Sequence, residues 1–186
     1  PPDLVARIED TLRIVVEASV ARVVDPSYTN IALLSAYLCN YAGNYFNEPS
    51  WSDYGEKLGS ALFKIYQETE TFEEYNSPTY YSVDLIALAY WRSYAPSARL
   101  REYGEIMEKG LWKQIGDFYH AGLKNMSGPY VRAYGMDMQR YLAALTLWLW
   151  TVLGKESVPL PDLATGDNAH SFTSGPIIAI LGSRVP

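Results

Sequence analysis

Four prolines recur roughly every 50 residues in this chain of 186 residues, and each precedes an apolar stretch. They are Pro26, Pro78, Pro129 and Pro176. Proline suits the first turn of a helix, because the N–H that it lacks would have no partner there. A period of about 50 residues accommodates two helices and two connections. The spacing therefore predicts stacked helical hairpins, with the loops before every second helix converging on one face.

Hydrophobic periodicity supports the same architecture. Apolar residues recur at helical spacing along most of the chain, and no segment alternates as a half-buried strand would. The predicted helices are residues 3–24, 30–42, 52–70, 81–94, 97–119 and 136–153. Residues 177–181 are expected to begin a further inner helix, or to form a strand if the repeat ends before them. The predicted fold is all-α, with antiparallel helical hairpins in one domain over residues 1–186.

The number of hairpins limits how the array can end. The inner helices (30–42, 81–94 and 136–153) are the more apolar and aromatic, and the outer helices carry most of the charge. A closed ring of such hairpins needs about six pairs, or roughly 300 residues at this period. The chain is shorter than that, so we expect an open arc, a segment of a longer toroid, or a subunit that associates with another copy.

Charge and composition exclude several classes of function. The net charge is −6 and the basic residues are scattered, which argues against nucleic acid and anionic membrane surfaces as partners. No apolar segment is long enough to span a bilayer. Cys39 is the only cysteine and the two histidines are far apart, so the sequence has no zinc spacing and no internal disulfide. It also lacks a phosphate-binding glycine loop, so we expect no metal and no cofactor, and it assigns no compartment.

Tyrosine is unusually frequent, with 16 Tyr against 5 Phe. The ring is apolar, while the hydroxyl can face water, a ligand or a buried acceptor. Two interpretations follow. The tyrosines either form the boundary of the helical core, or line a cleft that stacks on sugars or other flat polar ligands.

The first candidate cluster lies just before the inner helix 81–94. Asn76 can satisfy free N–H groups at the helix start, or its amide can bind a ligand carboxylate or hydroxyl. In the same segment the candidate phenols are Tyr80 and Tyr81, and the carboxylates are Glu73, Glu74 and Asp84. The glutamates are either solvated charges or include an acid/base.

The second cluster is the polar loop before helix 136–153. It crowds His120, Arg132, Tyr134 and Asp137 into 18 residues. Arg132 can clamp a carboxylate with two hydrogen bonds, or form a structural ion pair with Asp137. Tyr134 can transfer a proton beside a cation, and Asp137 is predicted to lie in the first helical turn, where the helix dipole favours negative charge. A third polar segment, residues 167–171 with His170, is more typical of a structural or solvent-facing loop.

Paired helices, a tyrosine-rich inner surface and polar loops at one end resemble the (α/α)-toroid proteins. This group includes alginate-lyase and heparinase-type polysaccharide lyases and several glycoside hydrolases, and the resemblance covers residues 25–180 as architecture. It implies that Asn76 and Arg132 neutralise a uronate carboxylate. It also implies proton carriers for β-elimination among Tyr80, Tyr134 and His120. Substrate contacts are expected at Tyr81, Asp84 and Asp137.

The leading hypothesis is a carbohydrate-active enzyme that cleaves a uronate-containing glycan by β-elimination. A glycoside hydrolase is the close variant, with paired carboxylates drawn from Asp84, Asp137 and a glutamate of 73–74. An alternative from another class is a non-catalytic helical-repeat module that binds a glycan or protein through an exposed aromatic patch. A cyclase or isomerase would instead need a closed apolar cavity. The enzyme hypothesis requires Asn76 and Arg132 to lie close together.

Overall fold

The computed structural model describes residues 2–134, 136–141, 143–158 and 174–185. Over these residues the fold is all-α, as predicted, with a single two-stranded hairpin as its sheet. The helices are α1 (Pro2–Arg22), α2 (Thr29–Tyr45), α3 (Pro49–Thr69), α4 (Pro78–Tyr94), α5 (Ala98–Phe118), α6 (Ala144–Leu153) and α7 (Gly175–Gly182). Between α5 and α6, strands β1 (Tyr119–His120) and β2 (Asn125–Met126) pair antiparallel.

The helices form two layers of stacked hairpins. α2 packs on α3 and α4 packs on α5, while α2 also packs on α4 and α3 on α5. α6 extends the inner layer beyond α4, and α7 packs against both α4 and α6. α1 packs at the other end, against α2 and α3. The prediction of helical hairpins with an inner and an outer layer is therefore confirmed. None of the helices that the structure describes is both long and apolar enough to cross a lipid bilayer.

Helix α4 lies at the centre of the inner layer and is tied to both of its neighbours by buried indoles. Trp91 is fully buried, and its Nε1 donates to the backbone oxygen of Leu33 on α2 at 2.9 Å. Trp148 on α6 is also fully buried, and its Nε1 donates to the backbone oxygen of Ser82 at 3.2 Å. The indole N–H groups of Trp91 and Trp148 thus each have an acceptor, as their burial favours. These bonds fix the order in which the inner helices lie side by side.

Helix α5 approaches α4 closely at Gly104. A Cβ at this position would lie 2.7 Å from Trp91 Cβ and 2.9 Å from Arg92 N, so backbone would have to move. The same two helices are joined by an ion pair, Arg92 Nε to Glu108 Oε2 at 2.6 Å, with the Glu108 side chain fully buried. Gly104 therefore allows α4 and α5 to approach closely, and the ion pair between Arg92 and Glu108 stabilises this packing.

Substitution of Gly104 by alanine is expected to lower the free energy of unfolding by about 1–3 kcal/mol through overpacking. The matched control is Gly116→Ala on the same helix, where an added Cβ would meet nothing within 4 Å. Because alanine is the better helix former, this control should gain about 0.5–1 kcal/mol. Urea unfolding of both variants gives the comparison. Two variants that shift in the same direction would contradict the packing described here.

Proline and a serine cap explain where α4 begins. Pro78 occupies the first turn, and Ser77 Oγ accepts from the backbone N–H of Tyr80. Pro176 likewise lies in the first turn of α7, so residues 177–181 are helical and the strand alternative is wrong. Pro26, in contrast, lies in a turn ahead of α2, and Pro129 lies in a loop rather than at a helix start.

The predicted helix 136–153 is wrong at its beginning, since α6 starts only at Ala144. Asp137 Oδ1 accepts from the backbone N–H of Gln139 at 3.1 Å, which closes a local turn instead of a helical one. Asp137 therefore does not occupy a helical first turn. It pairs with Arg140 at 3.6 Å, and not with Arg132 as the ion-pair alternative supposed.

Candidate functional site

Three loops that precede inner helices meet at one end of the molecule. They are residues 23–28 before α2, residues 70–77 before α4, and residues 127–134 between β2 and α6. Side chains from all three line one cavity of about 380 Å³: Ser27, Tyr28, Glu73, Glu74, Val131 and Arg132. The convergence expected from the helical repeat is therefore present.

Asn76 fastens the third loop to the second. Its Nδ2 donates to the backbone oxygens of Ser127 at 2.6 Å and Pro129 at 2.8 Å. Its backbone has a φ of 51°, in the left-handed region that asparagine tolerates better than most residues. Asn76 is fully buried and both amide N–H groups are already donated, so they are not available to a ligand carboxylate. The amide positions the loop, which corrects the role that the resemblance implies.

The first turn of α4 adds further bonds to the same loop. Ser77 Oγ donates to the backbone oxygen of Arg132 at 2.9 Å. Thr79 Oγ1 donates to the backbone oxygen of Tyr134 at 2.8 Å. Arg132 and Tyr134 are thereby held by their main chain, while their side chains are exposed. The structure thus brings Asn76 and Arg132 together, as the enzyme hypothesis requires.

Arg132 is the cationic group of the cavity. No acidic side chain in the described part of the chain lies within ion-pairing distance of its guanidinium. Its Cζ lies 5.7 Å from the centre of the Tyr80 ring, and the Tyr80 and Tyr134 rings are 6.3 Å apart. An exposed guanidinium beside two phenols can bind a planar anion through paired hydrogen bonds.

Two buried carboxyl groups have oxygens without a hydrogen-bond partner in the described part of the chain. Glu74 is 3 % exposed and lines the cavity, while Asp84 on α4 is fully buried. Glu74 Oε2 and both carboxylate oxygens of Asp84 have no hydrogen-bond partner among the described residues. Burial, together with the charge of Glu74, raises the pKa of Asp84 well above its ordinary value. Asp84 is therefore expected to keep its proton at neutral pH.

Asp84→Asn tests this protonation through stability. A carboxyl group whose pKa is raised on folding stabilises the protein below its unfolded pKa of about 3.9, and this contribution is lost as the pH rises. We expect Asp84→Asn to exceed the wild type in unfolding free energy by about 1–3 kcal/mol at pH 8. The difference should shrink toward pH 4, where both side chains are neutral. Asp10→Asn, an exposed site on α1, is the control, and equal effects at both positions would refute the assignment.

Tyr80 and Tyr134 are not among the residues that line this cavity, and neither are the candidates Tyr81, Asp84 and His120. Tyr81 is fully buried; its hydroxyl accepts from Asn76 N at 2.7 Å and donates to Gln114 Oε1 at 2.9 Å. Burial raises the pKa of Tyr81 to about 12, so it is a structural phenol and not a ligand contact. Asp84 cannot reach a ligand directly either. His120 is exposed on β1, with Nδ1 accepting from Leu123 N at 3.1 Å.

The remaining candidates have local roles or fall outside the described residues. Asp137 serves the turn that precedes α6. Residues 167–171, with His170, lie outside the described residues. No group of three or more His, Cys, Asp or Glu side chains within the described ranges is arranged to hold a metal ion.

Sequence reasoning missed Ser27 and Tyr28, which complete the cavity wall from the first loop. A signal for Tyr28 was present, because it follows Pro26 at the same offset as Tyr80 follows Pro78. The repeat that predicted the helices therefore also marked a second tyrosine. Nothing in the sequence separates Glu74 from Glu73, yet the structure buries the first and exposes the second.

A larger cavity of about 510 Å³ lies between α5 and α6 and is lined mainly by apolar side chains, including Trp112, Ile115 and Leu149. None of the described residues that line it is charged. It offers no cation for an anionic ligand and no acid/base pair. The smaller cavity below the three loops is therefore the better candidate for chemistry.

Comparison with known proteins gives one family. The model of a family described as a domain of unknown function (DUF8769) matches residues 1–183. No curated protein and no solved structure matches the chain.

Proposed function

The chain belongs to the DUF8769 family, a domain of unknown function, and we propose that it is a carbohydrate-active enzyme that cleaves a uronate-containing glycan by β-elimination. The observation that carries the proposal is Arg132. It is a cation without a described acidic partner, beside two phenols, at a cavity where three loops converge. A glycan carboxylate is the anion that suits this combination, because its sugar ring can lie on aromatic faces while its charge meets the guanidinium.

β-Elimination needs three things from such a site. The carboxylate must be neutralised, so that the hydrogen on the adjacent carbon becomes acidic; Arg132 would supply this charge. A base removes that proton, the electron pair forms a carbon–carbon double bond, and the glycosidic carbon–oxygen bond breaks. An acid then gives a proton to the leaving oxygen. Tyr80 lies 5.7 Å from the Arg132 guanidinium and Tyr134 lies beside Tyr80, so these two phenols are our candidates for giving a proton to the leaving oxygen.

A second candidate function is supported by a different surface. Five tyrosines on α2 and α4 form a continuous series of ring contacts, with centroids 5.1–6.4 Å apart: Tyr37, Tyr41, Tyr45, Tyr90 and Tyr94. Tyr41, Tyr45 and Tyr94 are exposed. A non-catalytic module would use such a patch to bind a glycan, without chemistry at the loop cavity.

Incubation with a panel of polyuronates distinguishes the two. Cleavage by β-elimination produces a double bond conjugated to the carboxylate, and its ultraviolet absorbance rises with time. We expect such a rise with at least one polyuronate. Flat traces across the panel, with glycan binding retained on an affinity gel, would support the binding module and end the lyase proposal.

A further inference from the structure

We propose that Glu74 is the base of the loop cavity and that the buried carboxyl group of Asp84 is its positioning residue. The choice of uronate as the ligand rests on the proposed function above. The coupling of the two carboxyl groups does not, and it can be tested without any ligand.

The geometry gives the two groups different access. Glu74 lines the cavity, although its side chain is almost fully buried, and its Oε2 has no described partner. Asp84 lies on the second turn of α4, with no exposure and no partner for either oxygen among the described residues. Of these two carboxyl groups, only that of Glu74 can therefore contact a ligand. Unpaired buried carboxyl oxygens are costly, which makes a purely structural role for the pair a poor explanation.

The surrounding charged groups among the described residues do not offset the free-energy cost of burying these carboxyl groups. Within the described residues, the titratable groups that share the cavity wall with Glu74 are Glu73, Arg132 and Tyr28. Tyr81, also on α4, is the phenol whose titration Asp84 affects. No described lysine or arginine forms an ion pair with Glu74 or Asp84. Burial, and after it the charge of Glu74, raises the pKa of Asp84 and so favours the neutral form of its carboxyl group.

The proton is expected on Asp84, because it is the member without access to solvent. The Glu74 carboxylate then accepts the proton from the carbon next to the uronate carboxylate. The electron pair left behind forms the double bond, the glycosidic bond breaks, and a phenol proton from Tyr80 or Tyr134 goes to the leaving oxygen. After the product leaves, Glu74 releases its proton to solvent and the phenolate regains one. Asp84 remains protonated throughout.

The test is a pH titration of side-chain carboxyl ¹³C resonances in the intact protein without ligand. The Asp84 signal is identified by its loss in Asp84→Asn. We expect Asp84 to be protonated at pH 7 in the wild type. In Glu74→Gln, where the neighbouring charge is absent, its midpoint should fall by about one to three pH units. Glu73→Gln is the matched control, since it removes the adjacent but exposed carboxylate; it should leave the midpoint within about 0.3 units.

Two results would overturn the pairing: an ionised Asp84 at pH 7, or the same midpoint in Glu74→Gln as in the wild type. The role of base is tested separately on a polyuronate that the wild type cleaves. There Glu74→Gln should lower kcat about 100- to 10,000-fold while the far-ultraviolet circular dichroism stays that of the folded protein, and an undiminished kcat would contradict the role of base. If no polyuronate is cleaved, the proposed function and the role of base fall together, while the titration still decides the pairing.

Discussion

Replacement of Arg132 by glutamine is expected to lower kcat/KM on a cleaved polyuronate about 100- to 1000-fold. The guanidinium is the cationic group among the described residues that line the loop cavity. Without it, the negative charge that develops on the uronate carboxylate during proton removal has no counterion. Because this charge grows toward the transition state, kcat should fall along with affinity. Initial rates of ultraviolet absorbance increase measure both constants.

Arg140→Gln is the matched control for this variant. Arg140 is exposed, pairs with Asp137 and is not part of the cavity wall. The same change in charge at this position should leave kcat/KM within about twofold, since exposed charges are screened by salt. The fold should be unaffected in both variants, because Ser77 Oγ donates to the backbone oxygen of Arg132, which the substitution leaves in place. Equal losses in both variants would mean that Arg132 acts only through net charge.

Asn76→Asp is expected to produce the largest loss of stability, about 3 kcal/mol of unfolding free energy. The change keeps the shape of the side chain but replaces two N–H donors with an acceptor. The backbone oxygens of Ser127 and Pro129 then lose their partners and face a carboxyl oxygen. Loop 127–134 should also separate from α4. In the wild type the Val131 amide donates to Tyr75 O at 3.2 Å, so hydrogen exchange should show faster exchange of this amide in the variant.

Asn47→Asp provides a strict control, because Asn47 has a similar left-handed φ of 56° but is exposed. The two positions therefore share their backbone conformation and differ in burial and in hydrogen bonds. Asn47→Asp should change the unfolding free energy by no more than about 0.5 kcal/mol. If Asn76→Asp were equally mild in urea unfolding, the amide would not be what holds the loop in place.

The helices were predictable because their signals are local. Pro78 and Ser77 together mark the start of α4, and apolar spacing marks its buried face. The order of the inner helices followed from the repeat alone. The segment between β2 and α6 was not predictable in this way, since its turn depends on a side-chain bond of Asp137 that competes with helix formation. Apolar residues after it continue the helical pattern, which hid the interruption.

The position of the candidate site was predictable from the sequence, but the roles of its side chains were not. The repeat placed the loops at one end, and the sequence singled out Arg132 and Tyr134 from their types. Burial then reversed several roles, because tertiary packing and not residue type decides whether a polar group faces a ligand. The Asn76 amide binds the backbone of the loop and the Tyr81 phenol lies in the core, while Glu74 lines the cavity.

The proposed function depends on recognition of a carboxylate by Arg132 in the loop cavity. Calorimetric titration with an oligogalacturonate and with its methyl ester tests this directly, because esterification removes the carboxylate charge while the sugar chain stays the same. We predict that the wild type binds the charged form at least about tenfold more tightly, and that Arg132→Gln removes this preference. Equal affinity for both ligands in the wild type, or an undiminished preference in the variant, would contradict the account.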